Sequence, residues 1–217
     1  MITLSSSPTR AFGERRTTVK VIGINASPRK GANTATLVET VLKGAARKGA
    51  ETKLVNLGKL RMKGCLGCEA CKEDLGHCVQ KDDLTPLMEE MAACDAIVLG
   101  TPVYWFHVSA QFKTLVDRLY CFYGSEIDPE TKEMREILAF PEGKKVVFVT
   151  SRGDPQDRKE YDALYSHMNE WLSVVGMAML ASSVDFIHHY GSWNERDAAR
   201  KNAELLARAE SIGASLV

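Results

Sequence analysis

Four of the six cysteines in this 217-residue chain lie close together, spaced C-x2-C-x2-C-x6-C. They are Cys65, Cys68, Cys71 and Cys78. In a cytosolic chain such clustering indicates a metal or redox site rather than a disulfide framework. Four thiolates suit a [4Fe–4S] cluster or a tetrahedral zinc ion. Structural zinc more often uses two C-x2-C pairs separated by a longer span, so the pattern favours the cluster. Zinc and redox-active thiols or disulfides are the alternatives.

A polar loop follows the first predicted strand and reads NASPRKGANT from Asn25 to Thr34. It combines hydroxyls, amides and two cations at a strand-to-helix turn, where backbone N–H groups and the helix dipole favour an anion. It lacks the paired glycines of a dinucleotide fingerprint and the Gly-Lys-Ser/Thr of a nucleotide phosphate loop. The loop therefore predicts a site for a single terminal phosphate. The candidate contacts are Ser27, Arg29, Lys30, Asn33 and Thr34. The alternative is that Ser27 and Asn33 only cap the turn and the helix.

Three aromatic residues, Tyr104, Trp105 and Phe106, follow one another after the third predicted strand. Three consecutive side chains cannot all face one core, so a flat aromatic ligand or a subunit interface is expected to cover them. The loop after the fourth strand contains Ser151 and Gly153 and is expected to approach the same place from the other side. Gly153 would permit a close approach of the backbone.

The elements that must position these residues alternate along the chain. Apolar runs predict strands at 19–24, 52–57, 96–100, 146–149 and 177–181, and helical spacing predicts helices around 38–45, 84–91, 112–119, 161–168 and 205–216. Continuously apolar strands indicate a sheet that is covered on both faces. The expected fold is α/β, with a five-stranded parallel doubly wound sheet whose ligands bind beyond the carboxyl ends of the strands.

The remaining segments are assigned from composition. Residues 1–17 are expected to form a flexible N-terminal arm, and residues 18–217 one domain. Within that domain, 58–83 is predicted to be a long cysteine loop and 121–143 a charged, irregular insertion. Loops as long as the first are usually functional.

The charge balance narrows the classes of function. Lys and Arg number 28, as do Asp and Glu, so the formal net charge is zero. This argues against a nucleic-acid surface held by bulk positive charge. No apolar run approaches the ~18 residues that a membrane span needs. Arg15-Arg16 is not followed by the apolar stretch of an export signal. A soluble, cytoplasmic protein is expected.

The other histidines and cysteines carry weaker signals. His77 is expected to lie near the cysteine site or at the surface, and His107 either contacts a ligand or is an ordinary loop residue. His188 and His189 are expected to be structural. Cys94 and Cys121 are expected to be buried apolar residues.

Two motifs resemble the flavodoxin-like NAD(P)H-dependent FMN reductase family. The first is Gly23-x-Asn-x-Ser-Pro-Arg-x-Gly-x-Asn-Thr, and the second is Gly100-Thr-Pro-Val-Tyr-Trp105, followed by Phe112-Lys113 and Asp117-Arg118. The resemblance covers about residues 19–214. It implies a flavodoxin-like three-layer sandwich that binds FMN through its phosphate in the first loop. The implied contacts to the ring are Pro102, Val103, Tyr104, Trp105, Phe106, Ser151 and Gly153. It also implies a homodimer or homotetramer, in which a neighbouring subunit closes the flavin site.

The cysteine motif, placed after the second strand of such a fold, resembles that of the iron–sulfur flavoproteins of anaerobes. This implies a [4Fe–4S] cluster that exchanges electrons with FMN. The expected function is an FMN-dependent oxidoreductase that needs no catalytic acid or base from the protein. Electrons would come from NAD(P)H or a reduced ferredoxin and pass to a small-molecule or protein acceptor.

Two alternatives from other classes remain at this point. One is a non-catalytic flavodoxin-like electron carrier, which zero net charge disfavours because such carriers are usually strongly acidic. The other is a redox or metal sensor in which the cysteine loop responds to its environment.

Overall fold

The computed structural model describes residues 18–193 and 195–217. Its main sheet has five parallel strands in the order β2-β1-β3-β7-β8. These strands are β1 (Lys20–Asn25), β2 (Glu51–Asn56), β3 (Ala96–Tyr104), β7 (Lys145–Ser151) and β8 (Ser183–His189). Ranked by position in the chain, the order is 2-1-3-4-5, that of flavodoxin-like folds. The predicted fold class is confirmed.

Helices cover both faces of the sheet. They are α1 (Asn33–Arg47), α2 (Leu84–Ala93), α3 (Ala110–Arg118), α4 (Asp162–Ala178), α5 (Ala198–Lys201) and α6 (Ala203–Ser215). One core packs α1, α5 and α6 against one face, and a second packs α2, α3 and α4 against the other. The central strands face both cores: Ile22 and Ile24 of β1 lie in the second, whereas Val21 lies in the first.

The prediction of a fifth strand at 177–181 is wrong. Met177 and Ala178 end α4, Leu180 turns the chain with a left-handed φ of 50°, and the strand is Ser183–His189. Met, Ala and Leu are good helix formers, which explains why this apolar run extends the helix. The true strand lies at the sheet edge and carries exposed Asp185, so it lacks the continuous apolar signature of the central strands.

The insertion at 121–143 was predicted to be irregular, but it contains an antiparallel hairpin. Its strands are β5 (Tyr123–Ile127) and β6 (Met134–Leu138). The turn is organised by the Asp128 carboxylate, which accepts N–H groups of Glu130 and Thr131, each at 2.8 Å. Asp commonly forms such local bonds with the following backbone.

The third strand is four residues longer than the predicted 96–100. Pro102, Val103 and Tyr104 therefore lie in β3 rather than in a loop. The chain then folds back as the short antiparallel strand β4 (His107–Val108), with Tyr104 opposite His107. The turn itself consists of Trp105 and Phe106 alone.

Two further predictions concern the N-terminal segment and membrane-spanning helices. The predicted N-terminal arm, 1–17, lies outside the described residues. Among the described residues, no helix has the length and apolar character to cross a bilayer.

Candidate functional site

The polar loop lies where β1 leads into α1, beside the carboxyl end of β3. Ala26 N–H donates to the Gly100 carbonyl at 2.8 Å, which fixes the start of the loop on β3. Ser27 is buried; its N–H donates to Asn25 Oδ1, and its Oγ accepts the Arg29 N–H at 3.2 Å. Arg29 and Lys30 are exposed. A tight hydroxyl turn thus lies beside two exposed cations, an arrangement suited to a phosphate group.

The N-terminus of α1 supplies the backbone part of such a site. Its first turn contains no acidic residue, and among the described residues no side chain caps it. The first N–H groups of a helix have no intrahelical partner, so this end favours an anion. The helix can approach β3 because position 100 is glycine. A Cβ there would lie 2.4 Å from Val38 Cγ2 and 3.0 Å from Thr34 Cγ2.

Asn33 has its side-chain amide engaged elsewhere. Its Nδ2 donates to the Glu195 carbonyl at 2.8 Å, and its Oδ1 accepts the Ala199 N–H at 2.9 Å. The side chain therefore ties the segment before α6 to the loop. A third cation, Arg200, reaches the same loop and donates to the Gly31 carbonyl and to Thr36 Oγ1, each at 3.3 Å.

Thr101 and Ser109 join the polar loop to the aromatic turn. Ser109 is fully buried; it donates from Oγ to the Ala26 carbonyl at 3.1 Å and caps α3 by accepting the Phe112 N–H. Thr101 Oγ1 accepts the Ser109 N–H at 3.0 Å. The loop, β3 and the start of α3 are consequently held as one unit.

The aromatic turn has an unusual backbone. Trp105 and Phe106 have φ values of 47° and 64°. Two-residue hairpin turns with both φ values positive normally use Asn or Gly, and bulky residues there are strained. Trp105 is 93% exposed, while Phe106 packs on Tyr161 with ring centroids 4.5 Å apart. Strain of this kind collects at functional sites.

His107 lies beside the turn in an aromatic setting. Its ring centroid is 5.1 Å from that of Trp171. Burial, followed by the charges of His167 and Lys113, lowers the pKa of His107. The lowered pKa favours a neutral imidazole, which has one donor and one acceptor nitrogen.

The loop after β7 approaches the same edge of the sheet. Ser151 Oγ lies 3.3 Å from His189 Nδ1, and Ser192 Oγ donates to the Arg152 carbonyl at 2.9 Å. A Cβ on Gly153 would lie only 2.6 Å from Trp193 Cε3. The close approach that Gly153 permits is thus to the Trp193 ring, which is 70% exposed and forms a second aromatic surface at this edge.

All four clustered cysteines line one small pocket. Cys65 and Cys68 are exposed, Cys71 and Cys78 are half-buried, and the floor includes Arg118 and Cys121. Burial, followed by the charges of Cys78 and Cys71, raises the pKa of Cys121 to about 12. Cys121 is therefore a neutral thiol beneath the other four. The convergence of residues separated by thirteen positions agrees with a single centre for all four.

Four thiols can hold either of two kinds of metal centre, a single zinc ion or a [4Fe–4S] cluster. Among the described residues, no group of three or more His, Cys, Asp or Glu side chains is close enough to hold a metal ion. Tetrahedral zinc, with bonds of about 2.3 Å, would need sulfurs about 3.8 Å apart. A four-iron cluster holds its thiolates further apart, because each binds a different iron. Four thiols that line one pocket are the donor set that a [4Fe–4S] cluster would need.

The two ends of the cysteine loop are tied together at its neck. Arg61 and Asp83 exchange hydrogen bonds of 2.7 and 3.2 Å, and Gln80 Nε2 donates to the Gly64 carbonyl at 3.0 Å. The middle of the loop is held by Lys72, whose Nζ donates to the Tyr120 carbonyl at 2.7 Å and lies 3.3 Å from the Tyr120 ring centroid. These contacts shape the loop without using a cysteine.

The other singled-out residues have partners of their own. Cys94 is buried and its thiol bonds to the Met91 carbonyl; burial raises its pKa to about 11. His77 is exposed and pairs with Asp74. His188 pairs with Thr150 across β7 and β8 at 2.7 Å, which agrees with a structural role.

The comparisons with known proteins bear on this geometry. The sequence model of the NADPH-dependent FMN reductase family matches residues 19–189, from β1 to the end of β8. The chain belongs to that family. The predicted membership is confirmed, and the family is one of flavin-dependent oxidoreductases.

Relatives within the family carry a more specific name. An iron–sulfur flavoprotein of Archaeoglobus fulgidus is 31% identical over 168 residues, covering 77% of this chain and 69% of that protein. One of Methanosarcina thermophila is 29% identical over 178 residues, covering 81% and 83%. One of Methanocaldococcus jannaschii is 44% identical over 100 residues, and that match spans only 51% of the relative. These names agree with the predicted branch.

Solved structures support the fold. An NAD(P)H:quinone oxidoreductase from Methanothermobacter marburgensis superimposes with a TM-score of 0.70 at 18% identity, covering 92% of this chain and 98% of that one. An FMN-dependent NADH-azoreductase from Bacillus anthracis, solved in complex with FMN, gives 0.67 at 11% identity, covering 91% and 99%.

Several residues at these sites were missed in the sequence. Thr101 and Ser109 had a partial signal, because a serine just before an amphipathic helix is a common cap. Arg200 and Trp193 had none, since they reach the site from the far end of the chain. The roles proposed for Ser27, Arg29, Lys30, Asn33 and Thr34, and for the aromatic turn, stay predictions.

Proposed function

We propose that this protein is an FMN-dependent oxidoreductase with a [4Fe–4S] cluster, built on a flavin-binding domain at 18–217. Electrons would enter from NAD(P)H or a reduced ferredoxin and leave to a small-molecule or protein acceptor. Family membership supports the flavin, and the names of the relatives support the cluster. The observation that carries the proposal is the convergence of four cysteines on one pocket at the end of α3.

The flavin would lie across the carboxyl ends of β1, β3 and β7. Its phosphate would contact Ser27, Arg29 and the uncapped N-terminus of α1, and its ring would lie along Pro102 to Phe106. FMN, when bound, accepts two electrons as hydride from a nicotinamide and can release them singly. The Trp105 and Trp193 surfaces would exclude water from the ring. Ser151 and Gly153 would lie at the other edge of the flavin ring.

The cluster would be held by Cys65, Cys68, Cys71 and Cys78. The neck contacts hold the loop in place, so the chain need not rely on the metal alone to bring its ends together. Cys121, as a neutral buried thiol, would pack beneath the centre without ligating it. Such a centre supplies one-electron transfer, which complements the two-electron chemistry of FMN.

The flavin half of the proposal is tested by replacing Ser27 with Asp. A carboxylate at this buried position would repel the FMN phosphate, so we expect FMN affinity to fall at least tenfold, about 1.4 kcal/mol. Ser211→Asp, on the exposed surface of α6, is the matched control and should bind FMN as the parent does. Unchanged FMN affinity in Ser27→Asp would contradict the assignment of the loop.

The activity is tested by anaerobic oxidation of NADH and NADPH with a flavin or quinone acceptor. Steady turnover that depends on bound FMN is expected. A protein that is reduced only by ferredoxin and turns over neither nicotinamide would instead be an electron carrier.

A further inference from the structure

Arg118, the last residue of α3, is the largest fully buried side chain in the part of the chain that the structure describes. Its guanidinium makes a two-pronged bond with the Asp82 carboxylate, at 2.6 and 3.1 Å. It also donates to the Lys63 carbonyl at 3.1 Å. Lys63 precedes the first clustered cysteine and Asp82 follows the last. From its buried position, Arg118 therefore forms hydrogen bonds with both ends of the cysteine loop.

One N–H group of the guanidinium, that of Nε, is buried and has no hydrogen-bond partner among the described residues. A buried unpaired N–H is costly and points to a partner that binds later. Arg118 forms part of the floor of the cysteine pocket, whereas Asp82 does not. The positive end of the pair is thus the end that faces the cysteines.

The electrostatics of Arg118 agree with this orientation. Burial alone would lower its pKa. The hydrogen bond with Asp82, followed by the charges of Cys78 and Asp82, outweighs that effect and raises the pKa of Arg118. A charged guanidinium therefore lies in the pocket that the four clustered cysteines line.

We propose that Arg118 is a positioning residue for the cluster, donating a hydrogen bond from its unpaired Nε to a thiolate of this pocket and raising the reduction potential of the centre. The inference rests on the proposed function, since it concerns a cluster at these cysteines. Reduction adds one electron, and hence one negative charge, to a centre already surrounded by four thiolates. A fixed buried cation and a hydrogen bond to a ligand sulfur both favour the reduced form.

The other charges that border the loop do not replace this contribution. Lys72 does not line the pocket, and its ammonium donates to the carbonyls of Tyr120 and Tyr123. Glu69 lines the pocket but is exposed to water, which screens it. Arg118 is the buried cation at the floor, where the local dielectric is low and a charge acts most strongly.

The test compares the anaerobically purified full-length protein with three variants. Arg118→Gln combined with Asp82→Asn removes both charges but keeps polar groups at the neck. Arg118→Lys keeps the charge but loses the planar fork. Arg61→Gln removes an exposed cation at the same neck and is the matched control. Iron and FMN contents are measured first, followed by an EPR-monitored redox titration.

We expect all proteins to retain FMN and the double variant to retain iron. At a fixed potential, its ratio of reduced to oxidised cluster should fall about tenfold, equivalent to about 59 mV for one electron. Arg118→Lys should lie between the double variant and the parent, and Arg61→Gln should match the parent.

Two results would overturn the inference. One is a fully iron-loaded double variant with the parental potential. The other is loss of iron from every Arg118 variant while FMN is retained, which would make the residue only a structural tie. Absence of iron from the parent protein would contradict the proposed function itself, and this inference with it.

Discussion

At the scale of single residues, the aromatic turn combines a strained backbone with an exposed side chain. Trp105 and Phe106 occupy left-handed backbone positions that Gly or Asn would fill more easily. The packing of Phe106 on Tyr161 offsets part of the backbone strain, but Trp105 is almost wholly exposed. An exposed, strained tryptophan brings no stability of its own. We propose that this side chain covers a flavin ring or contacts a neighbouring subunit.

Replacing Trp105 with Asn should separate stability from function. Asn tolerates the left-handed conformation, so we expect the free energy of unfolding of FMN-free protein to rise by about 1 kcal/mol. FMN affinity should fall, because the aromatic cover is lost. Urea unfolding and flavin titration measure the two effects. Ile127→Asn, which removes an exposed apolar side chain elsewhere, is the control and should leave FMN affinity unchanged. A less stable Trp105→Asn protein with normal affinity would refute this interpretation of the turn.

At the scale of secondary-structure elements, the two last strands of the sheet are joined by histidines. Thr150 pairs with His188 and Ser151 with His189. Burial lowers the pKa of both histidines, and for His188 the charges of Arg208 and Arg152 lower it further. The unfolded chain then binds protons more readily than the folded one. The edge strand is therefore held by neutral imidazoles.

Stability should consequently fall as the solution is acidified. The contribution of each histidine is complete above its unfolded pKa, about 6.5, and is lost as pH falls from there through its lower folded pKa. Urea unfolding between pH 7.5 and 5 measures the slope. His188→Asn should flatten it, whereas Thr150→Val should lower stability at every pH without changing the slope. An unaltered slope in His188→Asn would contradict the account.

The burial of each strand explains which parts of the fold could be predicted from the sequence. The central strands were found because both of their faces are buried and they are continuously apolar. The edge strand was predicted at 177–181 rather than at β8. The sequence of β8 alternates between apolar and polar residues, among them Asp185 and two histidines, whereas the end of α4 is continuously apolar. The hairpin β5–β6 was missed because its strands are short and charged. The cysteine spacing identified the pocket, but its neck depends on pairs such as Arg118 and Asp82, which are 36 positions apart and leave no local pattern.

At the scale of the whole molecule, α3 connects the two sites. It is capped by Ser109, which bonds to the polar loop, and it ends at Arg118, in the floor of the cysteine pocket. Nine helical rises of 1.5 Å separate these two residues, which places them about 13.5 Å apart along the axis. An apolar groove lies beside the far end of this helix, lined by residues that include Val116, Tyr120, Phe140 and Val175.

This groove and the aromatic turn should be covered in a dimer. Val174 and Met177 of α4 are exposed apolar residues next to the groove, at 54% and 64%. We expect the parent to be a dimer or a dimer of dimers by light scattering at micromolar concentration. A Val174→Glu, Met177→Glu double variant should shift towards monomer, because burying carboxylates at an apolar contact is costly. Val217→Glu, at an exposed apolar site at the C-terminus, is the control. A monomeric parent with FMN bound would contradict the assembly.

The central claim is that one cluster and one flavin share this chain. Its most direct test is the iron, sulfide and FMN content of protein purified without oxygen. We predict about four irons and four sulfides per chain with FMN bound, and loss of the iron but not of the FMN in Cys68→Ala. Cys94→Ala, which alters a buried thiol away from the pocket, should keep both. Parent protein with FMN, no iron, and full activity in Cys68→Ala would contradict the account.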